Sequence, residues 1–199
     1  KPFVIPALRK LLTAGFELVM VTNQDGMGTD AFPSDDFWKP HNLMMQILES
    51  QGVTFSDVFI DSSYESENNS NRKPGTGMLT KYLEADVDLQ QSWVIGDRIT
   101  DIELAKRLHS SAVLFAEGSL TSVEQAYVEC GTLKIKCNDW LTIASTIKSR
   151  NIVTIQRKSQ ETSVKVNLYP GIPDIRKIST GVGFLDHMLE QFSFHSAIG

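Results

Sequence analysis

Cysteine is scarce in this chain: two residues in 199, Cys130 and Cys137. Two thiols cannot build a disulfide framework, and their spacing matches no metal motif. They read as ordinary thiols in a reducing, cytoplasmic setting. No apolar run approaches the ~18 residues that a membrane span needs. No cluster of Lys and Arg is present, and the net charge of -5 argues against a nucleic-acid surface. No internal repeat is visible. The opening Lys1-Pro2-Phe3 has neither an initiator Met nor a signal-peptide pattern. What is present is an ordinary globular composition, 41% hydrophobic and 22% charged. The length allows one large domain or two small ones.

Periodicity divides the chain into alternating elements. Leu8, Leu11 and Leu12 predict a helix over 7–14, with Gly15 as its stop. Phe16 to Val21 reads as a strand, broken by the turn chemistry of Thr22-Asn23-Gln24-Asp25-Gly26. Leu43, Met44, Ile47 and Leu48 form the next helical face, with Pro40 in an early position and Gly52 after it. Val58 to Ile60 is a second strand, and 61–74 is a solvated loop rich in Ser, Asn and Glu. A helix is expected over 76–84, a strand over 92–95 and a helix over 100–108, where Thr100 and Glu103 have capping-box spacing. A fourth strand covers 112–116, and helices near 121–129 and 139–149 complete the pattern. Strands alternating with helices at this spacing imply βαβ units and a parallel sheet.

Near Arg150 the pattern changes. Val164, Val166 and Leu168 alternate before Pro170-Gly171, and Ile175 and Ile178 suggest a return strand. Gly181-Val182-Gly183 then leads into an amphipathic helix carrying Phe184, Leu185, Met188, Leu189 and Phe192. Two domains follow from this, 1–150 and 151–199. The second is short for an independent core.

The chemistry lies at strand ends. Thr22 and Asn23 follow the first strand, Lys73 closes the loop after the second, and Asp97 and Asp101 follow the third. In a parallel sheet such positions line one edge, where open α/β sheets bind ligands. A hydroxyl and an amide can meet phosphate oxygens, an ammonium can neutralise them, and a carboxylate can hold Mg2+. Together these groups suit phosphoryl transfer, in which positioning and charge neutralisation dominate. Taken singly, Lys73 reads as an exposed loop lysine and Asp101 as a carboxylate favoured by its helix start. Asp97, directly behind Val94-Ile95-Gly96, is the most telling.

These motifs carry a resemblance. Val21-Thr22-Asn23, Arg72-Lys73-Pro74 and the run from Gly96 to Asp101, in that order, resemble the later motifs of haloacid-dehalogenase-like phosphatases. Asn23 to Gly26 and His41 to Met45 narrow this to the histidinol-phosphate phosphatase branch. Glu161-Thr162 and the run from Ser179 to Leu189 are similar to the opening of imidazoleglycerol-phosphate dehydratase. Phosphatase then dehydratase is the layout of the bifunctional family of histidine biosynthesis.

The resemblance implies an α/β, Rossmann-like haloacid-dehalogenase domain lacking its first strand, followed by the opening of an α+β dehydratase domain. Its phosphatase reaction is Mg2+-dependent and passes through an aspartyl-phosphate on an Asp-x-Asp strand that is expected to lie before Lys1. It implies that Thr22 and Asn23 contact phosphate, that Lys73 steadies phosphate and nucleophile, and that Asp97 binds Mg2+ with Asp101 supporting the loop. In the dehydratase part it implies His187 as one of several Mn2+ ligands and Glu161 near the substrate. His195 matches a family histidine, although Ser196-Ala197 departs from the family pattern. Relatives hold a structural zinc in the loop that corresponds to 61–74. Here those positions are Asp61, Ser63, Asn69 and Asn71, which are poor zinc ligands, so no zinc is expected. Small phosphate esters are the expected partners, with neither nucleic acid nor membrane, and the full-length protein is expected to be a homo-oligomer. Residues 1–199 alone are expected to be inactive in both reactions. The rivals are a sugar-phosphate phosphatase of the heptose bisphosphate type and a non-catalytic phosphate- or metal-binding module. A receiver-like domain is disfavoured by its motif order.

Overall fold

Helices and strands alternate through the first 149 residues. They run α1 (Val4–Thr13), β1 (Val19–Asn23), α2 (Ser34–Ser50), β2 (Asp57–Asp61), α3 (Thr80–Glu84), β3 (Trp93–Gly96), α4 (Ile99–Arg107), β4 (Ser111–Leu114), α5 (Ser122–Glu129), β5 (Leu133–Lys136) and α6 (Trp140–Ser149). The hairpin β6 (Val153–Lys158) and β7 (Ser163–Leu168) and the helix α7 (Gly183–Ser196) follow. The computed structural model describes residues 1–149, 153–158, 163–168 and 178–196. No helix among them is long and apolar enough to cross a membrane.

Strand β4 shows how the layers arise. Successive strand side chains point to opposite faces. Val113 packs with Ala7, Leu8 and Leu11 of α1, Leu48 of α2, and Ile143 and Ile147 of α6. Its neighbours Ala112 and Leu114 pack on the other face with Ile102 and Ala105 of α4 and with Leu133. Burial on both faces requires near-continuous apolar strands, as parallel sheets show.

The sheet is in two parts. Strand β1 pairs in parallel with β2, and β3, β4 and β5 pair in parallel in that order. Among the described residues no strand pairs with the second edge of β1 or of β3. Between these edges lies a cavity of about 480 Å³, walled by Val19, Val21, Leu79, Val94, Leu104 and Leu108. The expected α/β fold with parallel strands is what the chain displays.

Several local expectations need correction. Pro40 does not open α2; the helix begins six positions earlier at Ser34 and carries Pro40 inside it. Leu43, Met44 and Ile47 do not face the core, being 58%, 39% and 49% exposed, while Phe37 and Leu48 are buried. The Thr100/Glu103 box does not form. Helix α4 starts one residue sooner, and Asp101 Oδ2 accepts from the Arg98 N–H at 3.1 Å. Glu103 accepts instead from the Tyr127 hydroxyl at 3.1 Å. Strand β1 starts at Val19 rather than Phe16, so Thr22 and Asn23 are its last residues. The 76–84 segment is a 3-10 turn over Gly77–Leu79 and then the short α3. Strand β5 was not expected at all. Strand β7 pairs antiparallel with β6, which precedes it. Ile178 is not in a strand, and Ile175 lies outside the described residues.

The two faces of α2 make a direct test. Leu48→Ala should cost about 2–5 kcal/mol through a core cavity. Leu43→Ala should stay within about 0.5 kcal/mol. Urea denaturation reads both, and equal costs would mean that α2 packs through its other face.

Candidate phosphate site

The Lys73 ammonium joins the two parts of the sheet. Its Nζ donates to the Val21 carbonyl at 2.9 Å and to Asp101 Oδ1 at 2.8 Å. Val21 is near the end of β1, and Asp101 lies in the first turn of α4, just past β3. The C-terminal ends of both half-sheets therefore converge on one cation. The pair is well shielded, with the Lys73 side chain 17% and the Asp101 side chain 7% exposed. Shielding strengthens the attraction, and the start of α4 adds a favourable dipole for the carboxylate.

The local sequence makes room for this contact. Gly96 closes β3, and a Cβ there would run into the Asp101 carboxylate. Asp101 divides its oxygens between Lys73 and the Arg98 N–H, so one residue caps the helix and anchors the lysine. Asn23 fixes the lysine backbone. Its Nδ2 donates to the Lys73 carbonyl at 3.1 Å and its Oδ1 accepts from the Lys73 N–H at 3.0 Å. Both groups of the Asn23 amide are thus engaged, and Asn23 positions Lys73. Thr22 Oγ1 accepts from Gln24 Nε2 at 2.8 Å, which leaves its hydroxyl proton to donate elsewhere.

Asp97 is exposed at the end of β3. One free carboxylate fits Mg2+, which is commonly held by one or two carboxylates together with phosphate oxygens and water. Among the described residues no cluster of three or more His, Cys, Asp or Glu could hold a metal by itself. Asp86-Val87-Asp88 has Asp-x-Asp spacing but precedes β3, so it lies at the opposite strand ends from Lys73.

The loop after β2 is fastened to the loop after β1. Gln24 N–H donates to the Asp61 carbonyl at 2.7 Å and Gly26 N–H to the Ser62 carbonyl at 3.0 Å. Tyr64 lies so close to Gly26 that no Cβ would fit there, and Gly26 also has a φ of 69°. Asp61 accepts from the Ser63 hydroxyl and, at 3.1 Å, from its N–H. Asn69 Oδ1 accepts from the Asn71 N–H at 3.0 Å. Arg72 grips Asp25 with Nη1 at 2.5 Å and Nη2 at 3.0 Å, and Nη1 also donates to the Ser63 carbonyl at 2.7 Å. The Arg72 guanidinium holds the Asp25 carboxyl below its ordinary range, and the charge of Arg98 adds to this. Sequence reasoning missed this pair: its partners are 47 positions apart, and no local pattern links them.

Of the dehydratase-type residues, His187 and His195 are among the described residues. His187 is exposed on α7, and its neighbour Asp186 accepts from the Thr180 N–H at 2.7 Å and from its hydroxyl at 2.6 Å. His195 is exposed with its ring against Phe194, centroids 5.3 Å apart. Glu161 lies outside the described residues. His187 could supply one imidazole, and a Mn2+ centre needs further ligands beside it.

Residues 70–133 match a family model described as HAD-hydrolase-like. The histidine biosynthesis bifunctional protein HisB of Spirosoma linguale is 41% identical over 204 residues, covering 98% of this chain and 53% of that protein. HisB of Bacteroides fragilis is 43% identical over 185 residues, covering 92% of this chain and 49% of that protein. The chain thus spans about half the length of these curated relatives. Among solved structures, a D,D-heptose 1,7-bisphosphate phosphatase from B. bronchiseptica, complexed with magnesium and phosphate, superposes with a TM-score of 0.60 at 23% identity. It covers 75% of this chain and 84% of that one. That likeness establishes the fold.

Asp101→Ala should cost on the order of 3 kcal/mol, because it strands a shielded ammonium. Adding Lys73→Met should recover all but about 1 kcal/mol, the residue being the lost helix cap. Chemical denaturation of both variants checks this, and no recovery in the double variant would contradict the pairing.

Proposed function

We propose that this chain, which belongs to the HisB-like family of bifunctional histidine-biosynthesis proteins, supplies the phosphate-facing side of a Mg2+-dependent L-histidinol-phosphate phosphatase. Residues 1–150 form that domain in this reading, and 151–199 open a dehydratase domain acting on imidazole-glycerol phosphate. The observation that carries the reading is Lys73, held at the convergent strand ends by Asp101 and Val21.

Each residue has a role by its chemistry. Lys73 neutralises the phosphate oxygens, and Asp101 and Asn23 keep its ammonium and its peptide in place. Thr22 donates its free hydroxyl proton to the phosphate. Asp97 would hold Mg2+, which when bound supplies further neutralisation of the charge that moves onto the leaving oxygen. The nucleophile of an aspartyl-phosphate route must come from a strand-borne carboxylate; Lys73 lines the cavity between β1 and β3, which supports this reading. His187 would be one Mn2+ ligand of the dehydratase and Glu161 a group near its substrate. The likeness to HisB proteins over both segments favours this pairing over a sugar-phosphate phosphatase of the heptose bisphosphate type.

Two measurements test the reading. Residues 1–199 alone should release no phosphate from L-histidinol phosphate with Mg2+; measurable Mg2+-dependent release would contradict the proposal. Inorganic phosphate should still bind, followed by amide shifts at Asn23 and Lys73. Lys73→Met should weaken that binding about tenfold, as expected for one charge-assisted contact. Unaltered binding in that variant would remove Lys73 from the site.

A further inference from the structure

The Arg72–Asp25 pair stands beside the phosphate site without a part in the chemistry above. Arginine presents a planar fork suited to phosphate. Here that fork is filled from within. Both Nη atoms bind Asp25, and Nη1 also binds the Ser63 carbonyl. The Arg72 side chain is 14% exposed, whereas that of Asp25 is 49% exposed. What faces solvent at this point is therefore the carboxylate.

The pair sits at the mouth of the site. Arg72 directly precedes Lys73. Asp25 is two residues beyond Asn23, whose amide holds the Lys73 peptide. Across the mouth, Arg98 of the loop after β3 is near enough for its charge to stabilise the Asp25 carboxylate. The loops after β1 and β2 thus meet at Asp25, within reach of the Arg98 charge. Lys73 and a Mg2+ on Asp97 can serve one phosphate. A second phosphate on the same substrate would meet an already neutralised arginine and an exposed carboxylate, whereas a substrate ammonium would meet an attractive charge.

We infer that Asp25 is a specificity-determining residue: it cancels Arg72 as an anion site and selects phosphate monoesters bearing a cationic group over bisphosphates. This rests on the phosphate-site reading of Lys73 and adds a discrimination to it.

Binding is the suitable readout, because it needs no turnover. Affinities of residues 1–199 for L-histidinol phosphate and for D,D-heptose 1,7-bisphosphate are compared at fixed salt and Mg2+. The wild type should prefer the cationic monoester. Asp25→Asn should shift the ratio about tenfold towards the bisphosphate, since it frees Arg72 and removes the carboxylate. Asp25→Glu should keep the wild-type preference, and Asp25→Asn/Arg72→Gln should lose the gain in bisphosphate affinity. If inorganic phosphate binds the wild type but the ratio is the same in Asp25→Asn, the inference is overturned and the proposed function stands. If inorganic phosphate does not bind the wild type, the phosphate site and the inference both fall.

Discussion

An ammonium placed between a carbonyl and a carboxylate organises this molecule. Lys73 spans from the Val21 carbonyl on one half-sheet to Asp101 beside the other. Nothing else described at the strand ends ties the two halves so directly, since β1 and β3 pair with other strands and not with each other. The lysine is shielded enough to need its counterion, and the counterion needs Gly96 to be a glycine. Asn23 then fixes the lysine peptide. Five residues drawn from three segments become interdependent through one charge.

That charge also explains the character of the site. A shielded cation at the C-terminal ends of parallel strands attracts a phosphate, and an exposed carboxylate beside it attracts a divalent metal. The surrounding loops are ordered by hydrogen bonds and by the Arg72–Asp25 pair. Asp61, Ser63, Asn69 and Asn71 take part in that ordering, so the loop after β2 has its own means of support. Asp25 is half exposed and adds a second carboxylate at the mouth of the site, beside that of Asp97.

Much of this was legible in the sequence for physical reasons. Buried parallel strands must be apolar, so Val94 and Ile95 before Gly96-Asp97 announced a strand end. Lys73 and Asp101 could be named from their motifs, but their mutual contact could not, because it depends on how two separate loops fold back. Taken alone, Lys73 reads as an exposed loop lysine and Asp101 as a helix-start carboxylate; the structure keeps Asp101 at its helix start but shields Lys73 in an ion pair with it. Leu43, Met44 and Ile47 misled because helical spacing identifies a face without saying which way it points. Strand β5 escaped notice because Leu133-Lys134-Ile135-Lys136 offers only two apolar residues between two stronger helices. The hairpin β6–β7 was half seen, through Val164 and Val166. The capping residue of α4 was misplaced by two positions because Thr100 and Glu103 satisfy the same spacing rule as the pair that forms.

The central claim is that the cation at the joined strand ends is a phosphate site. A crystal structure of residues 1–199 grown with Mg2+ and inorganic phosphate addresses it most directly. The account predicts phosphate within hydrogen-bond distance of Lys73 Nζ and the Thr22 hydroxyl, with a cation on Asp97. Phosphate bound elsewhere, with Lys73 still contacting only Val21 and Asp101 and Asp97 facing bulk water, would contradict it.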